Sequence, residues 1–360
     1  MDVTAQTPKW TWIWPLAGAA ILAAVFFLPS NSWLLAISGL AIFGVVFAAV
    51  YHAEIIAHKV GEPFGTLVLA LAVTIIEVAL ILSLMLLGPE KASLARDTVF
   101  AAVMIICNGL VGLCLLVGGL RHHIQGFQLH GALAALAILS ALTVITLLLP
   151  NYTSSETGPI YNNSQLIFAG LASLVLYGSF VFVQTIRHRD FFLPEVNASD
   201  EDAHAIAPSN RKTIGSLALL LVSLVTVVGL AKAVSPVIEQ GVFKLGVPEA
   251  VVGIIVAAIV LLPESVAAVR AARANRLQTS MNLALGSALA SIGLTIPAVV
   301  ILAVFMDRNL ILGLEQKEAI LLALTLLVSV ITIGTGRTTV LQGVVHLVIF
   351  ATFLFLTIVP

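Results

Sequence analysis

Two stretches decide the reading of this chain: Ala72-Val73-Thr74-Ile75-Ile76-Glu77-Val78-Ala79 and Ile259-Val260-Leu261-Leu262-Pro263-Glu264-Ser265-Val266. Each sets one glutamate deep inside an apolar run long enough to cross a bilayer. The other acidic residues fall in loops or at the ends of apolar runs. A carboxylate in hydrocarbon costs several kcal/mol unless it faces a partner or a water-filled cavity, so it marks an ion or proton pathway. Two of them at matching places in the two halves point to a shared cation and proton site near the midplane of a transporter.

Composition agrees with a membrane location. Of 360 residues, 60% are hydrophobic and 10% charged, against about 25% charged in ordinary soluble domains. The formal net charge of -1 gives nucleic-acid binding no electrostatic support. Cys107 and Cys114 lie in one apolar run and read as packing residues of a helix.

A spanning helix needs about 20 apolar residues. Cutting the chain at charged and Gly/Pro/Asn-rich breaks predicts eleven spans: 10–28, 33–51, 64–87, 97–120, 130–150, 164–187, 212–234, 247–269, 279–305, 318–333 and 337–359. The first has the shape of a signal peptide, but no small-residue cleavage site follows it, and we read it as an uncleaved helix. The tenth is short and joins the eleventh through the tight turn Gly334-Thr335-Gly336-Arg337. The seventeen basic residues divide eleven to six between the two sides. This bias predicts a cytoplasmic N-terminus and, with an odd number of spans, an external C-terminus.

The fold class expected is therefore an all-α polytopic membrane protein. A leading helix within 1–32 is followed by a five-helix repeat over 33–187, an acidic cytoplasmic loop over 188–211 and a second five-helix repeat over 212–360. Units of five helices must run in opposite directions through the membrane, and inverted repeats with the ion site at their interface are a recurring transporter plan. Glu195, Asp200, Glu201, Asp202 and His204 make the loop acidic. Their spacing is not that of a calcium-binding EF-hand loop; the loop reads as a solvated linker, with a cation-sensing or regulatory segment as the alternative.

Polar residues near the two glutamates complete the candidate ligand set. Thr74 precedes Glu77; Asn108 follows in Cys107-Asn108-Gly109-Leu110; Ser287 and Ser291 follow Glu264 on the next span. Pro263 removes a backbone donor and frees a carbonyl one turn earlier, which within a membrane is tolerated where it lines a cavity. The first half has no such proline. Small polar residues also pack helices together, so Thr74, Asn108, Ser287 and Ser291 have a structural alternative. Glu62 and Glu249 lie near the mouths of spans and read as solvated. His346, in the last span, reads as a helix-packing contact. His52, His58, His122, His123 and His130 gather toward the cytoplasmic face.

These residues resemble the cation/proton exchanger family of the calcium/cation antiporter superfamily, above all its bacterial ChaA-type sodium-potassium/calcium–proton antiporters. Gly61-Glu62-Pro63-Phe64-Gly65 with Thr74-Ile75-Ile76-Glu77 is similar to the first signature region. Leu262-Pro263-Glu264-Ser265 with Met281-Asn282-Leu283-Ala284-Leu285-Gly286-Ser287 is similar to the second, and Gly336-Arg337-Thr338-Thr339-Val340-Leu341-Gln342-Gly343 to the start of the last helix. The resemblance implies one leading helix plus two inverted five-helix repeats in the inner membrane of a bacterium. Glu77 and Glu264 would bind the cation and the protons alternately. Transported calcium, sodium or potassium, protons and the lipid bilayer would be its partners, with no nucleic acid and no resident cofactor.

The chain departs from the family pattern in a way that bears on the cation. The family's calcium/proton exchangers carry Gly-Asn-X-X-Glu, where this chain has Val73-Thr74 and Val260-Leu261. Their Ser-Ser-Ile-Gln reads Ser287-Ala288-Leu289-Ala290. Calcium takes 6–8 oxygens, and a poorer oxygen set is easier to reconcile with sodium, potassium or weak calcium binding. In a low-dielectric pocket two carboxylates disfavour double ionisation, so they would hold protons until a cation expels them. A cation channel is the main alternative, and a scaffold subunit another. An intramembrane enzyme is disfavoured because no His-Glu-X-X-His, phosphate-loop or Gly-X-Ser-X-Gly pattern occurs.

Overall fold

A computed structural model describes residues 8–28, 32–61, 64–85, 92–192, 208–244, 246, 248, 250–306 and 308–359. Among them run eleven helices: α1 (Trp10–Phe27), α2 (Ser32–Val60), α3 (Phe64–Met85), α4 (Leu94–His122), α5 (Leu129–Tyr152), α6 (Asn163–Arg187), α7 (Asn210–Lys244), α8 (Ala250–Arg273), α9 (Leu277–Phe305), α10 (Gln316–Ile333) and α11 (Val340–Ile358). Ten are long and apolar enough to cross a membrane, and α3 is apolar over Ala70–Leu82. The protein is an all-helical, multi-pass membrane protein.

Helix ends differ from the sequence reading where hydropathy and hydrogen bonding part company. The apolar run of α2 ends near 51, yet the helix continues through His52, Glu54, His58 and Lys59 to Val60. A helix stops where its backbone loses partners, not where its side chains become polar; Gly61, at φ +76°, takes the left-handed turn that ends this one. Helix α7 likewise runs on through Pro236 to Lys244. The tight turn before α11 is present, with Gly336 at φ +66° and its N–H on the Ile333 carbonyl at 3.0 Å. Glu195, Asp200, Glu201, Asp202 and His204 of the 188–211 loop, together with Glu62 and Glu249, lie outside the described residues.

The chain divides into two units, Met1–Ser83 with Glu195–Gly241, and Leu84–Pro194 with Val242–Pro360. In the first, α1 packs on α2 and against α7 through glycines. A Cβ on Gly18 would lie 2.5 Å from Val45 and 2.9 Å from Thr226, and one on Gly229 would meet Leu22 at 2.5 Å. Small residues that let backbones approach are how helices associate in lipid, where apolar burial supplies no drive between them. The His52 ring is buried here, with Nε2 on the Thr11 carbonyl at 2.9 Å.

The second unit is built around α4, whose residues from Leu94 to Met104 are all buried. It packs on α8, α9 and α11, and α9 in turn packs on α5, α6 and α8. The close approaches again use glycine: a Cβ on Gly253 of α8 would lie 3.0 Å from the Thr98 N–H nitrogen of α4, and one on Gly343 of α11 only 2.5 Å from that of Leu116. Three helices carry π-helical turns, Ile105–Leu110 in α4, Val144–Leu148 in α5 and Val183–Arg187 in α6.

The links of this unit pair at both ends in the same pattern. The α4–α5 link forms a two-residue antiparallel ladder, Gln125–Gly126 against Arg337–Thr338 of the α10–α11 link. Gln125 Nε2 also donates to Ala272 O at 2.9 Å and to Asn275 Oδ1 at 3.0 Å in the α8–α9 link. The α9–α10 link does the corresponding thing elsewhere. Ile311 bridges Ile160 of the α5–α6 link and donates to Ala92 O, in the α3–α4 link, at 3.2 Å. Arg96 Nη1 and Arg308 Nη1 fasten the same region to the carbonyls of Gly313 and Met85, each at 3.0 Å.

Candidate cation site

Glu264 lies in the middle of α8 and is 9% exposed. Pro263 before it has no N–H to offer the carbonyl of Ile259, and Ser265 turns its own hydroxyl back onto Leu261 O at 2.8 Å. Helix α9 crosses α8 at this level and brings up Ser287, whose hydroxyl donates to Glu264 Oε2 in a short hydrogen bond. Ser291, one turn further along α9, is also buried. A buried carboxylate held by a hydroxyl can exchange a proton for a cation without leaving its seat, because the hydroxyl oxygen can turn and accept the cation as well.

Glu77 belongs to the first unit and is 2% exposed. On α3, Leu71 and Ile75 point outward, whereas Thr74, Ile76, Glu77, Leu80 and Ile81 are buried. This is the pattern of a helix with one lipid-facing and one protein-facing side. The Thr74 hydroxyl donates to Ala70 O at 2.8 Å.

Asn108 sits on the π-helical turn of α4 and is completely buried. Its Nδ2 donates to Thr325 Oγ1 of α10 at 2.8 Å, and its Oδ1 lies 3.1 Å from His346 Nδ1 of α11. His346 Nε2 is 3.1 Å from Thr332 Oγ1. π-Turns inside α-helices are frequent at functional sites, and this one joins three helices through polar side chains.

Of the six candidate ligands, the structure thus joins Ser287 directly to Glu264 and sets Ser291 on the same helix. It engages Asn108 with α10 and α11, and it leaves Thr74 and Glu77 in the other unit. Thr325, Thr332 and the bonding of His346 went unrecognised in the sequence. Their one signal there is polarity inside an apolar span. His346 does contact neighbouring helices, as expected, but through both ring nitrogens. Cys107 and Cys114 are buried and free. Among the described residues no three His, Cys, Asp or Glu side chains gather into a metal cluster.

Comparison with known proteins decides the family. The sodium/calcium exchanger protein family matches residues 30–186 and 215–359. The chain belongs to this family. The exchanger is 51% identical over 361 residues to the "Putative ionic transporter y4hA" of Sinorhizobium fredii, covering 99% of this chain and 98% of the relative. It is 35% identical over 310 residues to the "Sodium-potassium/proton antiporter ChaA" of Escherichia coli, covering 86% and 84%. In fold it is similar to native YfkE, with a TM-score of 0.75 over 97% of this chain and 100% of that one, at 17% identity. The exchanger is accordingly a secondary transporter of the calcium/cation antiporter superfamily, of the cation/proton exchanger type, and not an enzyme.

Proposed function

We propose that this exchanger is a cation/proton antiporter in which Glu77 and Glu264 bind cation and protons in turn. The observation that carries the reading is Glu264, a carboxylate buried mid-span in α8 and held by Ser287 of α9. Glu77, buried on α3, is its counterpart in the first half. Counted along the chain, α3 is an odd span and α8 an even one, so they cross in opposite senses.

The equivalence of the halves, 33–187 and 212–360, has two supports. The family match falls into two stretches, 30–186 and 215–359, that nearly coincide with them. The links at the two ends of the second unit also pair alike: α4–α5 with α8–α9 and α10–α11, and α9–α10 with α3–α4 and α5–α6. Exchanging each helix with the one five later maps the first set onto the second. This is what inverted repeats produce. The acidic loop then lies between the repeats, and alternate exposure of one shared site gives exchange without leak.

Sodium and potassium are the favoured cargo. The E. coli relative is named for both, and Thr74 and Leu261 stand where the family's calcium/proton exchangers carry asparagine, a poorer oxygen set for an ion that takes six to eight. Calcium is the second candidate, on the family's name.

The test is proton movement in everted vesicles energised with a proton gradient, with sodium, potassium and calcium added in turn. The cargo cation dissipates the gradient through the unaltered chain and fails to do so through Glu77→Gln and Glu264→Gln. Cation flux that ignores the proton gradient would identify a channel instead.

A further inference from the structure

We propose that His346 is a positioning residue of the cation site, acting through Asn108. The inference deepens the antiport reading and rests on Asn108 being one of the ligands. Hydrogen bonds on two sides set how the Asn108 amide is turned. The Thr325 hydroxyl donates to Leu321 O at 2.7 Å, with Met104 Sδ a longer second acceptor at 3.4 Å, so its oxygen accepts from Asn108 Nδ2 at 2.8 Å. The second Nδ2 hydrogen is directed at Met104 Sδ, 3.7 Å away. That orientation turns Oδ1 toward His346 Nδ1, 3.1 Å away, a contact that the tautomer protonated on Nδ1 satisfies. In the neutral ring Nε2 is then an acceptor, and it takes the Thr332 hydroxyl at 3.1 Å.

An asparagine side chain offers two donors and two acceptor positions. Here both donors and one acceptor are used, and what remains is one lone pair on Oδ1. That is the chemistry a sodium, potassium or calcium ion needs from an amide. Without the proton on His346 Nδ1 the amide could turn over and present its NH₂ group, which repels a cation. The π-helical turn adds the second element: it places Asn108 out of the ordinary α register, and Thr325 and His346 hold it there from two other helices. His346 and Thr325 are themselves completely buried, so water does not compete for these bonds.

The experiment measures, in reconstituted vesicles at fixed pH, the half-saturating concentration and the maximal rate with sodium, potassium and calcium each added alone. His346→Ala should raise the half-saturating concentration about tenfold, as loss of a residue that orients a ligand commonly does, with the maximal rate nearly unchanged. His346→Gln, which keeps an N–H for Asn108 Oδ1, should restore most of the affinity. Asn108→Ala should weaken binding at least as much, and the double variant no more than Asn108→Ala alone. A weakened Asn108→Ala beside an unaffected His346→Ala would overturn the positioning role while sparing the ligand. An unaffected Asn108→Ala would remove the ligand, and the proposal with it. Additive losses in the double variant would also overturn it. Should His346→Ala fail to fold, Thr332→Val provides the same test, since it releases the ring from the far side; no change in half-saturation there would overturn the proposal.

Discussion

Ser287 donates its hydroxyl to Glu264, joining α9 to the buried carboxylate of α8. A hydrogen bond to a charged group contributes about 1.5–3 kcal/mol, and in the proposed site it fixes the Glu264 carboxylate beside a second oxygen. Ser287→Ala should therefore raise the half-saturating cation concentration about tenfold or more, whereas Ser287→Thr, which keeps the hydroxyl, should come close to the unaltered protein. Initial rates of cation-driven proton release across a concentration series provide the comparison.

The proposed competition between cation and proton for Glu77 and Glu264 fixes the sign of the pH dependence. Protonated glutamates must lose their protons before a cation binds, so acidification of the loading side should weaken apparent cation affinity. Once the pair is protonated, each displaced proton should contribute about a tenfold rise in half-saturating concentration per pH unit. The slope of that plot also counts the protons exchanged. A flat profile would mean that the two ligands use separate sites.

Arg308 caps a helix end. Its Nη1 lies 3.0 Å from the carbonyl of Met85, the last residue of α3. Helix C-termini leave carbonyls without partners, and a cation there stabilises by about 0.3–1 kcal/mol. Arg308→Ala should lower stability in detergent by about 1 kcal/mol, and Arg308→Lys by less, because it keeps the charge. Thermal unfolding of the three proteins side by side would show whether the guanidinium matters.

Gly343 sets the distance between α11 and α4. A Cβ there would sit 2.5 Å from the Leu116 nitrogen and 2.9 Å from the Gly112 carbonyl oxygen, both backbone atoms that cannot turn aside. Gly343→Ala should cost about 1–3 kcal/mol, the usual range for overpacking, and should disturb the His346 network one turn away. An unfolding temperature equal to that of the unaltered protein would show that α11 shifts freely.

The residues that announced themselves in the sequence are those whose cost is local. An ionisable group inside an apolar run is expensive wherever the helix packs, so Glu77 and Glu264 were legible without a partner in view, as was Pro263 beside the latter. The eleven helices were legible for a related reason, since in lipid every backbone polar group must be satisfied within its own segment. Their ends were not, because α2 and α7 continue past their apolar runs on backbone bonding alone.

Tertiary structure decided what single spans cannot encode. Ser287, Asn108 and His346 are ordinary polar residues in apolar helices, and each could equally have packed against a neighbour. Only the crossing of α8 and α9 gives Ser287 to Glu264, and only the meeting of α4, α10 and α11 gives Asn108 both Thr325 and His346. The Asn108 bonds join residues more than two hundred positions apart and the Ser287 bond joins successive helices; in each case the distance is set by how the helices cross, not by the composition of any one of them.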